Sequence, residues 1–346
     1  MDKDVYFGLM KETSDIVDSI IIDSIQLRFD GTLCDLVIDL PKKRVNSNKP
    51  KLRPAIFRFA YEVTGGQDWR KYENIAAAME MLNLSTYVLN YVLDDKGGEK
   101  PKQQRNNECV VSMIQRELAQ QLLIVDGRKL SLEDYLEVDK KFSEINRFTS
   151  GIGQYLDSNH LRDVEKNHVD EYVKRCNGLT GMFMQYVSEI GGIVAGASKE
   201  QVEKLGVFGK NYGILVQIIN DLGDYLPYKA GKQSVGKVYQ DQYSDLKHGC
   251  ITFPAYIILT QGTEEEKETV ERVQGNLEAS LKNCLEVTRA FIRLGGVQQV
   301  KKLASKYAKA AKDALNYFPK NEARDFLSTA LSIYRTNKFY DVFKKI

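Results

Sequence analysis

Histidine, cysteine and tryptophan are scarce in this 346-residue chain, which carries three, five and one of them. The cysteines Cys34, Cys109, Cys176, Cys250 and Cys284 lie far apart and form no Cys-x-x-Cys pair. That pattern offers no zinc site and suits free thiols in a reducing compartment. His160, His168 and His248 have no metal-ligand spacing and read as surface or packing residues. No run of about 18 apolar residues is available to span a membrane, and no basic-apolar-small leader opens the chain. A soluble, cytoplasmic protein is expected. Excess charge of one sign is also missing. The 49 Lys and Arg against 47 Asp and Glu leave a net +2, with both signs spread throughout, so no nucleic-acid partner is expected. There is no GxGxxG, Walker lysine loop, HExxH or GxSxG, which removes the footing for a Rossmann or hydrolase reading. Period-2 strand patterns, short repeats and Pro/Gly/Ser-rich tracts are absent too.

What remains is a chain that is 43% hydrophobic, enough for a sizeable globular core. Length alone would suggest two domains. With no linker to divide it, a single helical domain over 1–346 is the simpler expectation. Apolar residues at spacings of three and four predict helices over about 3–30, 54–64, 71–93, 108–125, 131–160 and 165–190, and again from 253 onward. Residues 31–50 read as a loop or short helix, and Gly65-Gly66 reads as a helix C-cap.

Two acidic segments stand out. Leu205, Phe208, Tyr212, Leu215 and Ile219 form an apolar helical series that runs into Asn220-Asp221-Leu222-Gly223-Asp224. On one helix Asn220 and Asp224 would face the same way, with Asp221 beside them. Asp94-Asp95 ends a second apolar helix and is followed by Gly97-Gly98-Glu99. Each alone fits an exposed helix end with surface acids. Together they fit a cluster of hard divalent cations gripping a ligand with several phosphate oxygens, because Mg²⁺ prefers carboxylate and carbonyl oxygens. The cations Lys49, Lys51 and Arg53 read either as a solvated loop or as a site for a second diphosphate, since the arginine fork matches phosphate geometry.

The ordered set of segments resembles the trans-prenyl diphosphate synthase, or polyprenyl synthetase, family. The resemblance rests on Lys51-Leu52-Arg53-Pro54 before Gly65-Gly66, Asp94-Asp95, Gly153-Gln154 with Asp157, Thr180-Gly181, Gln217 with Asn220-Asp221-x-x-Asp224, and Asp245-Leu246-Lys247-His248-Gly249-Cys250-Ile251-Thr252-Phe253-Pro254. It covers about residues 45 to 330. It implies an all-α fold of the isoprenoid-synthase type, an antiparallel helix bundle around a central cavity, and a homodimer. It also implies Mg²⁺ on Asp94, Asp95, Glu99, Asn220, Asp221 and Asp224, with Asp94, Asp95, Asp221 and Asp224 as the catalytic acids. Diphosphate contacts fall to Lys49, Lys51, Arg53, Arg105, Thr180, Gln217 and Lys237, and Thr86, Leu89 and Asn90 line the pocket for the growing chain.

The implied reaction ionises an allylic prenyl diphosphate and condenses it with isopentenyl diphosphate. The chain departs from the family pattern at several basic positions. Pro50, Leu179 and Cys250 stand where the family has lysines, and Asn106 replaces the second of a pair of arginines. These substitutions keep open a terpene-synthase-like or altered-acceptor enzyme that ionises the same substrate without isopentenyl diphosphate. A non-catalytic partner subunit is the third reading.

Overall fold

A computed structural model describes residues 1–46, 50–93, 101–159, 169–226 and 242–334, and every regular element among them is helical. The first half of the chain carries α1 (Lys3–Gln26), α2 (Gly31–Asn46), α3 (Leu52–Val63), α4 (Glu73–Leu93), α5 (Lys102–Gly127), α6 (Leu132–Asn146), α7 (Gln154–Asn159) and α8 (Val169–Cys176). The second half carries α9 (Met182–Val194), α10 (Lys199–Gly223), α11 (Ser244–Lys247), α12 (Phe253–Gln261), α13 (Glu264–Glu271), α14 (Leu281–Arg293), α15 (Gly296–Leu315) and α16 (Glu322–Ile333). Two compact units emerge. The first comprises residues 1–147, 184–209 and 312–330, and the second residues 148–183, 210–311 and 331–346.

In the first unit, Asp2 caps α1 by accepting the Asp4 N–H at 2.8 Å. Tyr6, Met10, Val17, Ile21 and Ile25 form the buried stripe of α1, whereas Phe7 remains exposed. A helix rather than a loop spans 31–46. It runs through Pro41 while burying Val37 and Ile38, so packing outweighs a poor local propensity. Pro54 sits in the first turn of α3, where the missing N–H has no intrahelical acceptor to lose. Beyond that helix Gly65 takes φ +107°, in the left-handed region that glycine tolerates. The Asp126 carboxylate caps α4 from outside, accepting the N–H groups of Asn74 at 2.7 Å and Ile75 at 3.3 Å. Phe326 of α16 stacks on Phe59 and Tyr6 at centroid distances of 3.6 and 4.5 Å.

The second unit contains two π-helical turns, Arg147–Gly153 at its edge and Asn177–Gly181. They interrupt the continuous helices expected over 131–160 and 165–190. Each admits an extra residue per turn, and their backbones meet where Gly153 packs on Gly178. Farther along, Tyr225, Tyr243 and Phe291 cluster, and Thr288 donates to the Tyr225 carbonyl at 3.0 Å. A reciprocal capping box between Thr263 and Glu266 starts α13.

Candidate active site

The polar centre of the second unit is assembled from four segments. The side chain of Asp157 comes from α7, Tyr172 and Arg175 from α8, Thr180 from the second π turn, and Gln217 and Asp221 from α10. Gln217 and Asp221 are four residues apart, so one helical face presents both. Thr180 Oγ1 donates to Gln217 Oε1 at 2.6 Å, and Gln217 Nε2 donates to Asp221 Oδ1 at 2.8 Å. The other carboxylate oxygen, Oδ2, accepts from Tyr172 Oη and from an Arg175 guanidinium nitrogen, both at 2.8 Å. Arg175 also reaches Asp157 at 2.5 Å and Asp245 at 3.7 Å.

Burial governs the protonation of this centre. It pushes the Asp221 carboxyl above its ordinary range, with Arg175 pulling it down and Asp245 pushing it further up. Burial also opposes the charge on Arg175, but the carboxylates of Asp157 and Asp221 outweigh it and hold the guanidinium protonated. The Cys176 and Cys250 thiols are pushed up by burial. Cys250 Sγ lies 3.8 Å from Asp157 Oδ1.

The end of α10 corrects one expectation. Asn220 is exposed, whereas Asp221 and Asp224 are fully buried, so the three do not share a face. The helix ends at Gly223, and the Asp224 N–H bonds the Asp221 carbonyl at 3.2 Å, three residues back. Three-residue closure advances about 120° per residue, which carries Asp224 to the side of Asp221 and away from Asn220. Asp224 then caps α11, accepting the N–H groups of Ser244 at 3.3 Å and Asp245 at 3.2 Å. Among the described residues no group of three His, Cys, Asp or Glu side chains is arranged to hold a metal. Donors from the chain meet each oxygen of Asp221 and Asp224, and Oδ2 of Asp221 accepts two of them.

In the first unit, Lys51 is corrected as well. Its ammonium is buried on Asp18 at 2.5 Å and its N–H is held by Ser14 Oγ at 2.8 Å. It pins the start of α3 to α1 and does not face solvent. Arg53 and Arg105 are half-buried. Thr86 is buried, with its hydroxyl on the Leu82 carbonyl at 3.1 Å, while Leu89 and Asn90 follow it half-buried on the same helix. Lys49, Asp94, Asp95, Glu99 and Lys237 lie outside the described residues. Sequence reading missed Tyr172 and Arg175. No residue type or spacing marked Arg175, because the convergence of Asp157, Asp221 and Asp245 on it appears only in the fold.

The family model described as polyprenyl synthetase matches residues 43–290. A geranylgeranyl diphosphate synthase of Saccharolobus solfataricus is 27% identical over 290 residues, covering 78% of this chain and 80% of its own. The octaprenyl diphosphate synthase of Escherichia coli is 24% identical over 292 residues, covering 82% and 84%. Among solved structures, a decaprenyl diphosphate synthase from Rhodobacter capsulatus superposes with a TM-score of 0.78 at 18% identity over 96% of this chain and 98% of its own. A geranylgeranyl pyrophosphate synthetase from Pyrococcus horikoshii gives 0.78 at 20% identity over 97% and 99%. These structures share the all-α fold. None of the helices among the described residues is long and apolar enough to cross a membrane.

Proposed function

Since the chain belongs to the polyprenyl synthetase family, we propose that it is a prenyltransferase condensing an allylic prenyl diphosphate with isopentenyl diphosphate into a longer prenyl diphosphate. The observation that carries this reading is the family match over 43–290, which spans both acidic segments. The names of the relatives, geranylgeranyl and octaprenyl diphosphate synthases, support elongation over a cyclising or non-catalytic role.

On this reading the whole chain acts as one isoprenoid-synthase-like domain. Arg105 and Arg53 contribute fixed positive charge toward the diphosphates, and such preorganised charge stabilises a leaving group as negative charge grows on it. Departure of the diphosphate leaves an allylic cation. The double bond of isopentenyl diphosphate attacks that cation, and transfer of a proton from the resulting cation to the released diphosphate gives the new allylic double bond. Thr86 and Leu89 flank the growing hydrocarbon, together with the half-buried Asn90, in surroundings that keep water from the cation. Thr180, Gln217 and Asp221 act as one hydrogen-bonded rail that fixes the Thr180 hydroxyl. Magnesium belongs to the proposal at Asp94, Asp95 and Glu99. A cytoplasmic setting is supported by five free cysteines, and a homodimer by the apolar residues exposed on the first unit.

The test is a product assay with purified protein and Mg²⁺. Geranyl, farnesyl and geranylgeranyl diphosphate are each supplied with and without isopentenyl diphosphate. A longer prenyl diphosphate formed only when isopentenyl diphosphate is present is expected. A hydrocarbon or alcohol formed from the allylic substrate alone would replace this reading with the cyclising one.

A further inference from the structure

Arg175 serves carboxylates from three separate segments: Asp157 at 2.5 Å, Asp221 at 2.8 Å and Asp245 at 3.7 Å. Its side chain is 3% exposed and that of Asp221 is 0%, whereas Asp157 and Asp245 keep 18% and 22%. Asp221 is therefore the sealed member of the set. Residue 179 is leucine and residue 250 is a cysteine whose sulfur lies 3.8 Å from Asp157, so neither of these positions supplies a lysine. A divalent cation such as Mg²⁺ needs oxygen lone pairs at about 2.0–2.1 Å in near-octahedral array. On Asp221 Oδ2 it would have to displace Arg175 or Tyr172, which together occupy that oxygen, and on Oδ1 it would compete with Gln217. A guanidinium is always charged and reaches several carboxylates with its planar fork.

We propose that Arg175 is a positioning residue that takes the place of a divalent cation at Asp221: the carboxylate binds arginine instead of metal, and the guanidinium holds Asp157, Asp221 and Asp245 convergent. This goes beyond the prenyltransferase reading, and its test needs no turnover. The chain's second acidic segment is then a prebuilt ion-pair cluster that offers Asn220, not Asp221, to an incoming ligand.

Manganese binding to the full chain, counted by electron paramagnetic resonance with inorganic diphosphate present, tests the proposal. The proteins compared are the unaltered chain, D221N, R175M, R175K and R175M/C250K, each checked for folding by circular dichroism. D221N is expected to bind the same number of ions as the unaltered chain, with affinity within about twofold. R175M frees the Asp221 carboxylate and is expected to gain an ion. R175K and R175M/C250K return a cation to the cluster and are expected to restore the original count. Loss of an ion in D221N overturns the proposal, as does a folded R175M that gains none. Should R175M not fold, the D221N count decides alone. Product formation from the same samples is scored separately, so failure of prenyl transfer would leave the ion count standing.

Discussion

Taking a carboxylate out of water costs several kcal/mol unless donors replace its hydration. Asp221 receives one hydroxyl, one amide and one guanidinium donor. Each charged hydrogen bond contributes roughly 1.5–3 kcal/mol, so the set offsets part of the burial, which still raises the carboxyl above its ordinary range. Burial also acts on three thiols, and the cations near them offset it only in part. Cys176 and Cys250 are pushed above the ordinary thiol range by desolvation and nearby carboxylates, and Cys284 by desolvation in the main. Thiolate is the reacting form, and its reaction also requires access to the reagent. Brief treatment of the folded protein with iodoacetamide at pH 7.5 is therefore expected to label Cys34 and Cys109, which are half-buried, and to spare the other three. Peptide mass spectrometry reads the outcome, and rapid modification of Cys250 would contradict the packing around Asp157. At this scale Asp221 stood out by its type at the end of an apolar helix, whereas Gln217 and Thr180 entered through the family resemblance. Arg175 was not legible. A single arginine in α8 looks like a surface residue until the fold brings three aspartates to it.

Element boundaries tell where local signals suffice. The apolar series Leu205, Phe208, Tyr212, Leu215 and Ile219 is buried throughout, so the 3.6-residue period alone located the body of α10. Its last turn was misread because one hydrogen bond, from Asp224 N–H to the Asp221 carbonyl, changes the angular step. No residue type announces that change. The two π turns were equally silent in the sequence, and what they accomplish is the contact of Gly153 with Gly178. A Cβ added at Gly153 would lie 2.7 Å from the Gly178 carbonyl carbon and 2.8 Å from the Leu179 nitrogen. Both obstacles are backbone, so no side chain can swing away. Overpacking of this kind costs about 1–3 kcal/mol, and G153A is expected to lower the denaturant midpoint accordingly. Gly151, in the same π turn, has nothing within 4 Å of an added Cβ. G151A is the control and should stay close to the unaltered protein. Equal effects of the two substitutions would mean that the π turn, and not the glycine contact, sets the cost.

For the whole molecule, the fold class was legible because amphipathic helices declare themselves by period, and because nothing in the sequence supplied a strand or a linker. Association is a different matter, since an apolar residue on an exposed face has the same letter as one in a core. The first unit exposes Val110 and Met113 on α5 and Leu132 and Leu136 on α6, at 48%, 70%, 74% and 57%. Val110 and Met113 are three residues apart and lie on one face of α5. Large apolar side chains exposed in this way are costly in water and are candidates for cover by a partner. With a homodimer as the proposed state, a charge placed in that surface has to be desolvated twice, once from each copy, whereas in a monomer it would stay hydrated. M113E and L136E are therefore expected to shift the mass measured by light scattering from twice 39.4 kDa toward 39.4 kDa. L277E is the control, because Leu277 is 50% exposed and belongs to the second unit; its mass should match that of the unaltered chain. A monomeric unaltered protein would remove the homodimer, and dissociation by L277E alone would move the interface to the second unit.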